Sequence, residues 1–330
     1  MTLSRLNRYI RHRLAGREHR PPAWAEHDQM FLKAISIVQF FYIYTSVQFY
    51  RQASIFSNLQ ANEADRFSFL WPLAWMDRMP LDLAGDILAS LCVIVGLASI
   101  FLWRFFLVRL AVAALFLQIA AFSNSAGGIN HGYHEWLWIT FVFLLLPNAS
   151  RLSVNLPRAT KIRFLYAFGV APTLILFFYT LSGIYKVLDA TLMLIIGELG
   201  GFHPWAMAYT LAKRSLETGT DPLWAGLIID IPILGWPLYL ALYYIEFFSI
   251  LVAFRPELVR VWGLLLIAFH FGTYAFLDIT FPQHVLINGI LFVMSPFAPS
   301  KFHWRRFVLA LPIFGWLARS LQATVRLRKH

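Results

Sequence analysis

Long apolar runs separated by short polar segments dominate the pattern of this chain. A membrane-spanning helix needs about 20 predominantly apolar residues, and somewhat fewer where it is short or partly sheltered. Eight runs meet or approach that length, so we predict eight transmembrane helices, of which the fourth and eighth are short. The predicted spans are approximately Phe31–Tyr50, Leu83–Trp103, Phe105–Phe122, Tyr133–Pro147, Phe164–Gly183, Trp236–Phe254, Leu258–Leu277 and Gln283–Phe297.

Three of the connections between these runs are informative. The second and third runs are separated only by a tight turn at Arg104. The connections Arg51–Asp82 and Val187–Ile233 are long and rich in tryptophan and phenylalanine. Because aromatic side chains concentrate at membrane–water interfaces, we expect both long connections to lie along the interface and to cover a cavity on the outer side.

The composition agrees with this pattern. Hydrophobic residues make up 59% of the 330 residues, charged residues only 14%, and the mean hydropathy is +0.61. Soluble domains carry nearly twice that charged fraction, so the fold class predicted is an all-α, polytopic membrane bundle. The net charge of +11 does not indicate a nucleic-acid partner, because the basic residues fall between apolar runs. The single cysteine, Cys92, excludes an intrachain disulfide and is expected to pack as a small apolar residue.

The distribution of basic residues predicts the topology. With the N-terminus inside, 21 of the 28 Lys and Arg residues lie in inner segments, which supports N-in and C-in with an even number of spans. We expect a basic cytoplasmic segment (1–30) leading into a retained signal-anchor, a transmembrane domain (31–300) and a basic, amphipathic cytoplasmic tail (301–330). The short loops are typical of a bacterial inner membrane, and the tail is expected to contact anionic lipids.

A polar cluster is predicted at the outer end of the fourth span. The run Asn130-His131-Gly-Tyr-His134-Glu135 places His131, His134 and Glu135 at i, i+3 and i+4, on one helical face. The spacing matches neither arrangement of zinc proteases. His203, His270 or His284 could complete a metal site, but a hydrogen-bonded interfacial cluster is favoured, and no metal is predicted.

Two charged residues in apolar runs are the strongest functional candidates. Lys186 ends the fifth run, where a lysine either extends its amine to the interface or, if desolvated, serves as a base. Glu246 lies within the sixth run with no basic residue within one helical turn, so it needs a partner from another span. Lys186 is one candidate partner, and a tyrosine or histidine is another. His270, within the seventh run, is expected to be a hydrogen-bonded residue of the bundle interior.

The order of three motifs resembles the HTTM (horizontally transferred transmembrane) family, whose best-known members are the vitamin K-dependent gamma-carboxylases. Asn130-His131 with Tyr133 is similar to their Asn-His-x-Tyr element, and Leu181-Ser-Gly-Ile-Tyr-Lys186-Val is similar to their Ala-Gly-Val-Lys-Lys-Leu element. Glu246, Phe269-His270 and a last span ending at Pro296 resemble the rest of the family core. The resemblance covers roughly residues 120–300.

The resemblance implies a membrane enzyme that uses a reduced quinone, a vitamin K-like hydroquinone, as cofactor. Lys186 would be the base that deprotonates it, with Asn130 and His131 as its orienting shell and Glu246 and His270 as further catalytic residues. Candidate cofactor-binding residues are Tyr133, Tyr185 and Tyr274. The site would face the outer, periplasmic side, and its partners would be the lipid bilayer and a lipid-soluble substrate.

Two departures from the carboxylases change this expectation. The carboxylases carry a large lumenal domain after the bundle, whereas about 30 residues follow the last predicted span here. The first lysine of the family's pair is Tyr185. Peptide carboxylation is therefore not expected, although hydroquinone chemistry is. The alternative is a non-enzymatic membrane binding, export-helper or immunity-type protein with a partner protein; a transporter would need inverted repeats, and no clear repeat is present.

Overall fold

The computed structural model describes residues 24–60, 67–125, 127, 132–148, 156–318 and 320. Over these residues the fold is all-helical, with no β-strand. The chain divides into two compact units, an N-terminal unit (Ala23–Ala171) and a C-terminal unit that includes the residues from Pro172 onward. One helix, α5, continues through the boundary, and Pro172 lies inside it.

In its described residues, the N-terminal unit contains four complete helices and the start of the fifth. They are α1 (Trp24–Phe56), α2 (Leu81–Leu102), α3 (Phe106–Asn124), α4 (His134–Phe143) and the first part of α5 (Arg158–Ile196), with short 3₁₀ turns at Trp71–Leu73 and Met76–Arg78. Helices α1 and α2 pack closely because small residues of α2 face α1. A Cβ on Gly96, for example, would lie 3.2 Å from Ser46 Oγ. Small residues at such a contact let two spans approach.

The predicted tight turn at Arg104 is confirmed, and a buried arginine holds it. Arg109 is 1% exposed, and its guanidinium donates to the carbonyls of Trp103 (3.2 Å), Arg104 (2.8 Å) and Leu146 (2.7 Å). The carbonyls at the end of a helix have no partner within the helix, and a cation favours that end of the helix dipole. Arg109 therefore joins the end of α2 to the segment that follows α4.

Among the described residues, the C-terminal unit contains the rest of α5 and six further helices with defined bounds, and residues 314–318 are also helical. The six helices are α6 (Ala206–Thr218), α7 (Ala225–Asp230), α8 (Pro232–Val252), α9 (Pro256–Leu277), α10 (Pro282–Asn288), which continues as a π-helical turn (Gly289–Val293), and α11 (Trp304–Ala310). Helices α8, α9 and α10 each begin with a proline. Proline suits a first helical position, where its fixed φ fits and its missing N–H costs nothing.

Within the part of the chain that the structure describes, six helices are long and apolar enough to cross a membrane: α1 (from His27), α2, α3, α5, α8 and α9. They correspond to six of the predicted spans. The other two predicted spans are shorter: α4 has 10 residues, and the apolar helix Pro282–Val293 is about 18 Å long. A typical hydrocarbon layer is about 30 Å thick. The structure thus supports a multi-pass membrane protein, while the count of eight and the side of each terminus stay predictions.

The helix that carries the fifth predicted span is longer than that span. It was expected to stop at Gly183, which would have put Lys186 just beyond the span. Instead α5 continues to Ile196, so Lys186 lies inside a continuous helix with ten more helical residues after it. Most residues of this last part, Val187–Ile196, are apolar, and helix formation therefore does not stop at the isolated charge.

Candidate functional site

A close ion pair in the C-terminal unit joins α5 to α8. The Lys186 ammonium lies 2.6 Å from both carboxylate oxygens of Glu246. The Glu246 side chain is 3% exposed and that of Lys186 is 32% exposed. The sequence left two kinds of partner open for Glu246, namely Lys186 or a tyrosine or histidine. The structure shows the pair with Lys186. The hydroxyl of Ser182 donates to Glu246 Oε2 at 3.5 Å, a weak contact at the limit of hydrogen bonding.

The ion pair forms because α5 and α8 approach closely at Gly183. This glycine precedes Lys186 by three residues, so the two lie on the same helical face. A Cβ built on Gly183 would lie 2.7 Å from the backbone carbon of Glu246 and the Cα of Phe247. The same contact continues one turn away, where Thr180 Oγ1 accepts from the backbone N–H of Ile250 at 2.8 Å. The approach of two backbones therefore places the carboxylate beside the amine.

A second polar group lies two turns earlier on the same face of α5. The hydroxyl of Tyr179 lies 2.7 Å from His270 Nε2 on α9 and accepts from Asn288 Nδ2 on α10 at 3.1 Å. All three side chains are at least nine-tenths buried. His284 on α10 adds a ring whose centroid is 5.1 Å from that of His270. This hydrogen-bonded chain therefore connects three helices in the interior of the unit.

The donor-to-acceptor direction of these hydrogen bonds determines which ring nitrogen of His270 is protonated. Either atom of the Tyr179–His270 bond can be the donor, depending on the tautomer of His270. With the Asn288 amide donating to the Tyr179 oxygen, we assign the Tyr179 hydroxyl proton to the bond with His270 Nε2. A neutral His270 then carries its own proton on Nδ1. This nitrogen and the Asn288 side-chain oxygen are buried and have no hydrogen-bond partner in the structure. The chain therefore presents one N–H donor and one oxygen acceptor.

Helix α9 links the two polar groups through adjacent residues. Phe269 lies beneath the Lys186 ammonium, with its ring centroid 5.8 Å from Nζ, and the next residue, His270, contacts Tyr179. The charge of Lys186 is also close enough to act on His270 electrostatically. The pair and the chain therefore form one cluster, which we call the Lys186 cluster: Tyr179, Ser182, Lys186, Glu246, His270 and Asn288.

The remaining predicted site residues are placed differently. Tyr185 and Tyr274 also belong to the C-terminal unit, but they are 73% and 52% exposed. Tyr133 lies in the N-terminal unit, where its hydroxyl accepts from Gln52 Nε2 at 2.7 Å. Asn130 and His131 lie outside the described residues. The structure thus collects Lys186, Glu246 and His270 from the predicted set, and the roles assigned to all these residues stay predictions.

Three members of the cluster were not predicted from the sequence. Tyr179 precedes Lys186 by seven residues, and that two-turn spacing on one helical face was the available signal. Asn288 is an amide within an apolar run, which needs a partner in a membrane, and Ser182 lies beside Gly183 within the quoted lysine motif. Among the described residues, no group of three or more His, Cys, Asp or Glu side chains could hold a metal ion.

No family model matches the chain, and neither the curated proteins nor the solved structures include a match.

Proposed function

We propose that the chain is an integral membrane enzyme that removes a proton from a lipid-soluble weak acid, with a quinol as the substrate class. The observation that supports this most is the Lys186–Glu246 pair, held at 2.6 Å within apolar helices. Burying two charges costs several kcal/mol per ion in real proteins, of the order that their attraction returns. Ionisable residues in membrane segments are therefore uncommon and generally functional.

In this proposal, the pair accepts the proton in two steps. A proton first moves from Lys186 Nζ to the Glu246 carboxylate, along the hydrogen bond that joins them, and leaves a neutral amine beside a carboxylic acid. Apolar surroundings reduce the cost of this neutral form relative to the charged one. The amine then accepts the proton of a substrate O–H group, and the pair ends with one proton more. Lys186 is the base, and Glu246 is the residue that positions it and holds the extra proton.

The second half of the Lys186 cluster fits the oxygen of such a substrate. A hydroxyl group both donates and accepts a hydrogen bond. The hydrogen-bonded chain of Tyr179, His270 and Asn288 offers Asn288 Oδ1 as the acceptor and His270 Nδ1 as the donor. The neighbouring rings of Phe269 and Phe281, which lie 4.9 and 5.4 Å from the His270 ring, are suited to contact an aromatic ring. When bound, a reduced quinone would supply the acidic O–H group and electrons for a reaction with oxygen.

The resemblance to the carboxylases supports the same substrate class. In that family the residue similar to Lys186 is the base for vitamin K hydroquinone. Carboxylation of a peptide is not part of the proposal, because Tyr185 replaces the first lysine of the family's pair. We place the enzyme in a bacterial inner membrane, and the charge distribution predicts that the segment after α5 lies on the outer side.

Hydroquinone-dependent oxygen uptake by the purified protein in lipid nanodiscs tests the proposal. We expect uptake with a reduced naphthoquinone, and a decrease of about 10²-fold or more in the variant Lys186→Ala, the usual contribution of a general base. Lys213→Ala is the matched control, because Lys213 is 60% exposed and forms only a surface pair with Glu217 at 3.8 Å. Equal uptake by the Lys186 and Lys213 variants would exclude Lys186 as the base.

A non-enzymatic membrane binding or export-helper protein is the second candidate. The observation in its favour is the symmetry of the ion pair, in which both carboxylate oxygens already bind the amine and hold the charge in place. If this contact is only structural, Lys186→Met combined with Glu246→Leu will retain folding and partner binding, since apolar residues can replace a buried pair. Loss of oxygen uptake in a well-folded double variant favours the enzyme instead.

A further inference from the structure

The N-terminal unit contains a cavity of about 540 Å³ that is separate from the residues of the Lys186 cluster. Two helices supply most of its wall. Helix α3 contributes positions i, i+3, i+4 and i+7 of one face, and α4 contributes positions i and i+3. These residues are Leu117, Ala120, Ala121, Asn124, His134 and Leu137. The volume is within the range of about 300–1,000 Å³ that is usual for small-molecule sites.

The remaining wall consists of Gly127 and a segment of the α1–α2 connection that is tied to α3. Ser125 accepts from the backbone N–H groups of Ser68 (through its carbonyl, 2.9 Å) and Leu70 (through its hydroxyl, 3.3 Å). The Trp75 indole donates to Gln118 Oε1 at 3.0 Å. Because contacts at both ends hold Leu70, Trp71 and Pro72 in place, this side of the cavity is preformed.

The chemistry of the wall indicates the class of ligand. The described lining has no Asp, Glu, Lys or Arg, so it offers no counter-charge to an anionic or cationic head. Most of it is apolar, and Asn124, whose amide nitrogen donates to the Ala120 carbonyl at 2.7 Å, and His134 are its polar side chains. Trp71 lies at the opening and is 80% exposed, as is typical of a side chain at the membrane–water interface. An apolar cavity with a few polar groups fits a neutral amphiphile.

We infer that this cavity binds a neutral, oxygenated, lipid-soluble molecule, with its apolar body against Ala120 and Ala121 and its oxygen toward Asn124 and His134. The two alanines create the space, since a larger side chain at either position would extend into it. This inference does not depend on the proposed enzyme, because none of the lining residues belongs to the Lys186 cluster.

Photo-crosslinking of the full chain in nanodiscs tests the inference. The probe is a monoacylglycerol with a diazirine in its acyl chain, which is neutral, oxygenated and not a weak acid. We expect labelling of peptides that contain Leu70–Pro72 and Leu117–Asn124, and a decrease of at least about tenfold in Ala121→Phe, which fills the cavity. Ala120→Leu, a smaller change, provides a second variant if Ala121→Phe does not fold.

The matched controls decide between this site and general contact with lipid. Ala114→Phe makes the same substitution at an exposed position of α3 and should leave labelling unchanged, as should Lys186→Ala. Labelling that decreases equally in Ala114→Phe and Ala121→Phe, or that spreads evenly over the lipid-facing helices, would overturn the site. Stronger labelling by the corresponding diazirine fatty acid would overturn the neutral class and indicate an anionic lipid.

Discussion

Glu246 is too deep in its helix to reach the membrane surface by itself. It follows Asp230 by 16 residues and precedes Arg255 by nine, which places it about 13 Å from the nearer charged end of α8. A glutamate side chain is much shorter than that distance. Lys186 supplies the missing charge at the same level, and this explains why the lysine occurs inside α5. Extension of the lysine to an interface, the alternative that the sequence left open, does not account for an amine held by both carboxylate oxygens.

Replacing one member of this pair should destabilise the protein more than replacing both. For Glu246→Leu alone we expect a loss of about 2–4 kcal/mol in the free energy of unfolding, because an unpaired ammonium is left in apolar surroundings. The estimate is below that for a fully buried pair, since a third of the Lys186 side chain is exposed. The double variant with Lys186→Met should recover most of the loss. Denaturant unfolding in mixed micelles measures all three proteins.

The outcome that contradicts this account is an additive double variant. If the losses of Glu246→Leu and Lys186→Met simply sum, the two residues do not interact in the folded protein. Lys213→Met is a suitable reference, because an exposed pair such as Lys213–Glu217 contributes about 0–1 kcal/mol.

The hydrogen-bond chain predicts a fixed tautomer for His270. In the native protein, ¹⁵N NMR should show a neutral ring protonated on Nδ1, because the Tyr179 hydroxyl is directed at Nε2. In Tyr179→Phe this constraint is lost, and we expect a mixture of tautomers and a loss of about 1–3 kcal/mol in stability. An unchanged His270 spectrum in Tyr179→Phe would show that Tyr179 does not set the tautomer. Tyr185→Phe, at a 73% exposed position, is the control.

At the residue scale, the sequence was a better guide to the partners of charged residues than to those of neutral polar residues. Glu246 within an apolar run required a partner, and Lys186 was one of the candidates. Tyr179 and Asn288 gave a weaker signal, because tyrosine and asparagine in a span often pack without any role in chemistry. Their importance comes from three helices that meet at one point, and the distance between residues 179 and 288 in the sequence contains no information about that meeting.

The approach of α5 to α8 depends on one glycine. Gly183→Ala would put a methyl group against the backbone of α8 at Glu246 and Phe247, so the helices must separate. We expect a loss of about 1–3 kcal/mol in stability, the usual cost of overpacking, and a weaker Lys186–Glu246 pair. Thermal unfolding, with oxygen uptake as a second readout, measures the effect.

Gly272→Ala provides the matched control for this substitution. Gly272 lies in α9, another span-length helix of the same unit, and a Cβ there meets nothing within 4 Å. Its replacement should be neutral or slightly stabilising, because alanine favours helix by about 1 kcal/mol. Equal effects of the two substitutions would show that the close approach at Gly183 is not important for stability.

At the element scale, the predicted starts of the last three spans lie close to the helix starts. The spans were predicted from Trp236, Leu258 and Gln283, and the helices begin one to four residues earlier, at Pro232, Pro256 and Pro282. Helix α5 ends 13 residues after Gly183, the predicted end of its span, where a lysine after a glycine had indicated a span boundary. The ion pair removes that reason to stop: once Glu246 compensates the charge, the apolar residues after Lys186 can continue the helix.

For the whole molecule, the topology remains to be measured. The distribution of Lys and Arg predicts that the α1–α2 connection is outside and the segment after the last span is inside. Cys92 is the single cysteine of the sequence, so Cys92→Ala gives a cysteine-free background. In intact cells, a membrane-impermeant maleimide should label Ala74→Cys, and should label Ser300→Cys only after permeabilisation. Labelling of Ser300→Cys in intact cells would contradict the predicted orientation.

At this scale, composition was sufficient for the class of protein and insufficient for its arrangement. An apolar fraction of 59% in long runs predicts a helical membrane protein, and six helices of spanning length agree. The lengths of α4 and α10 were not predictable from hydropathy, because it does not show where a short helix gives way to a turn. The Lys186 cluster lies in the C-terminal unit, and the N-terminal unit contains the cavity whose described lining has no Asp, Glu, Lys or Arg.

Infrared difference spectroscopy tests the central claim, proton acceptance by the Lys186–Glu246 pair, most directly. Addition of a reduced naphthoquinone to the protein in nanodiscs should produce the C=O stretching band of a protonated carboxylic acid, because the pair holds one proton more after the transfer. The band should shift with ¹³C-labelled glutamate and should be absent in Glu246→Gln and Lys186→Met. A spectrum without this band, or a band that persists in Glu246→Gln, would contradict the account.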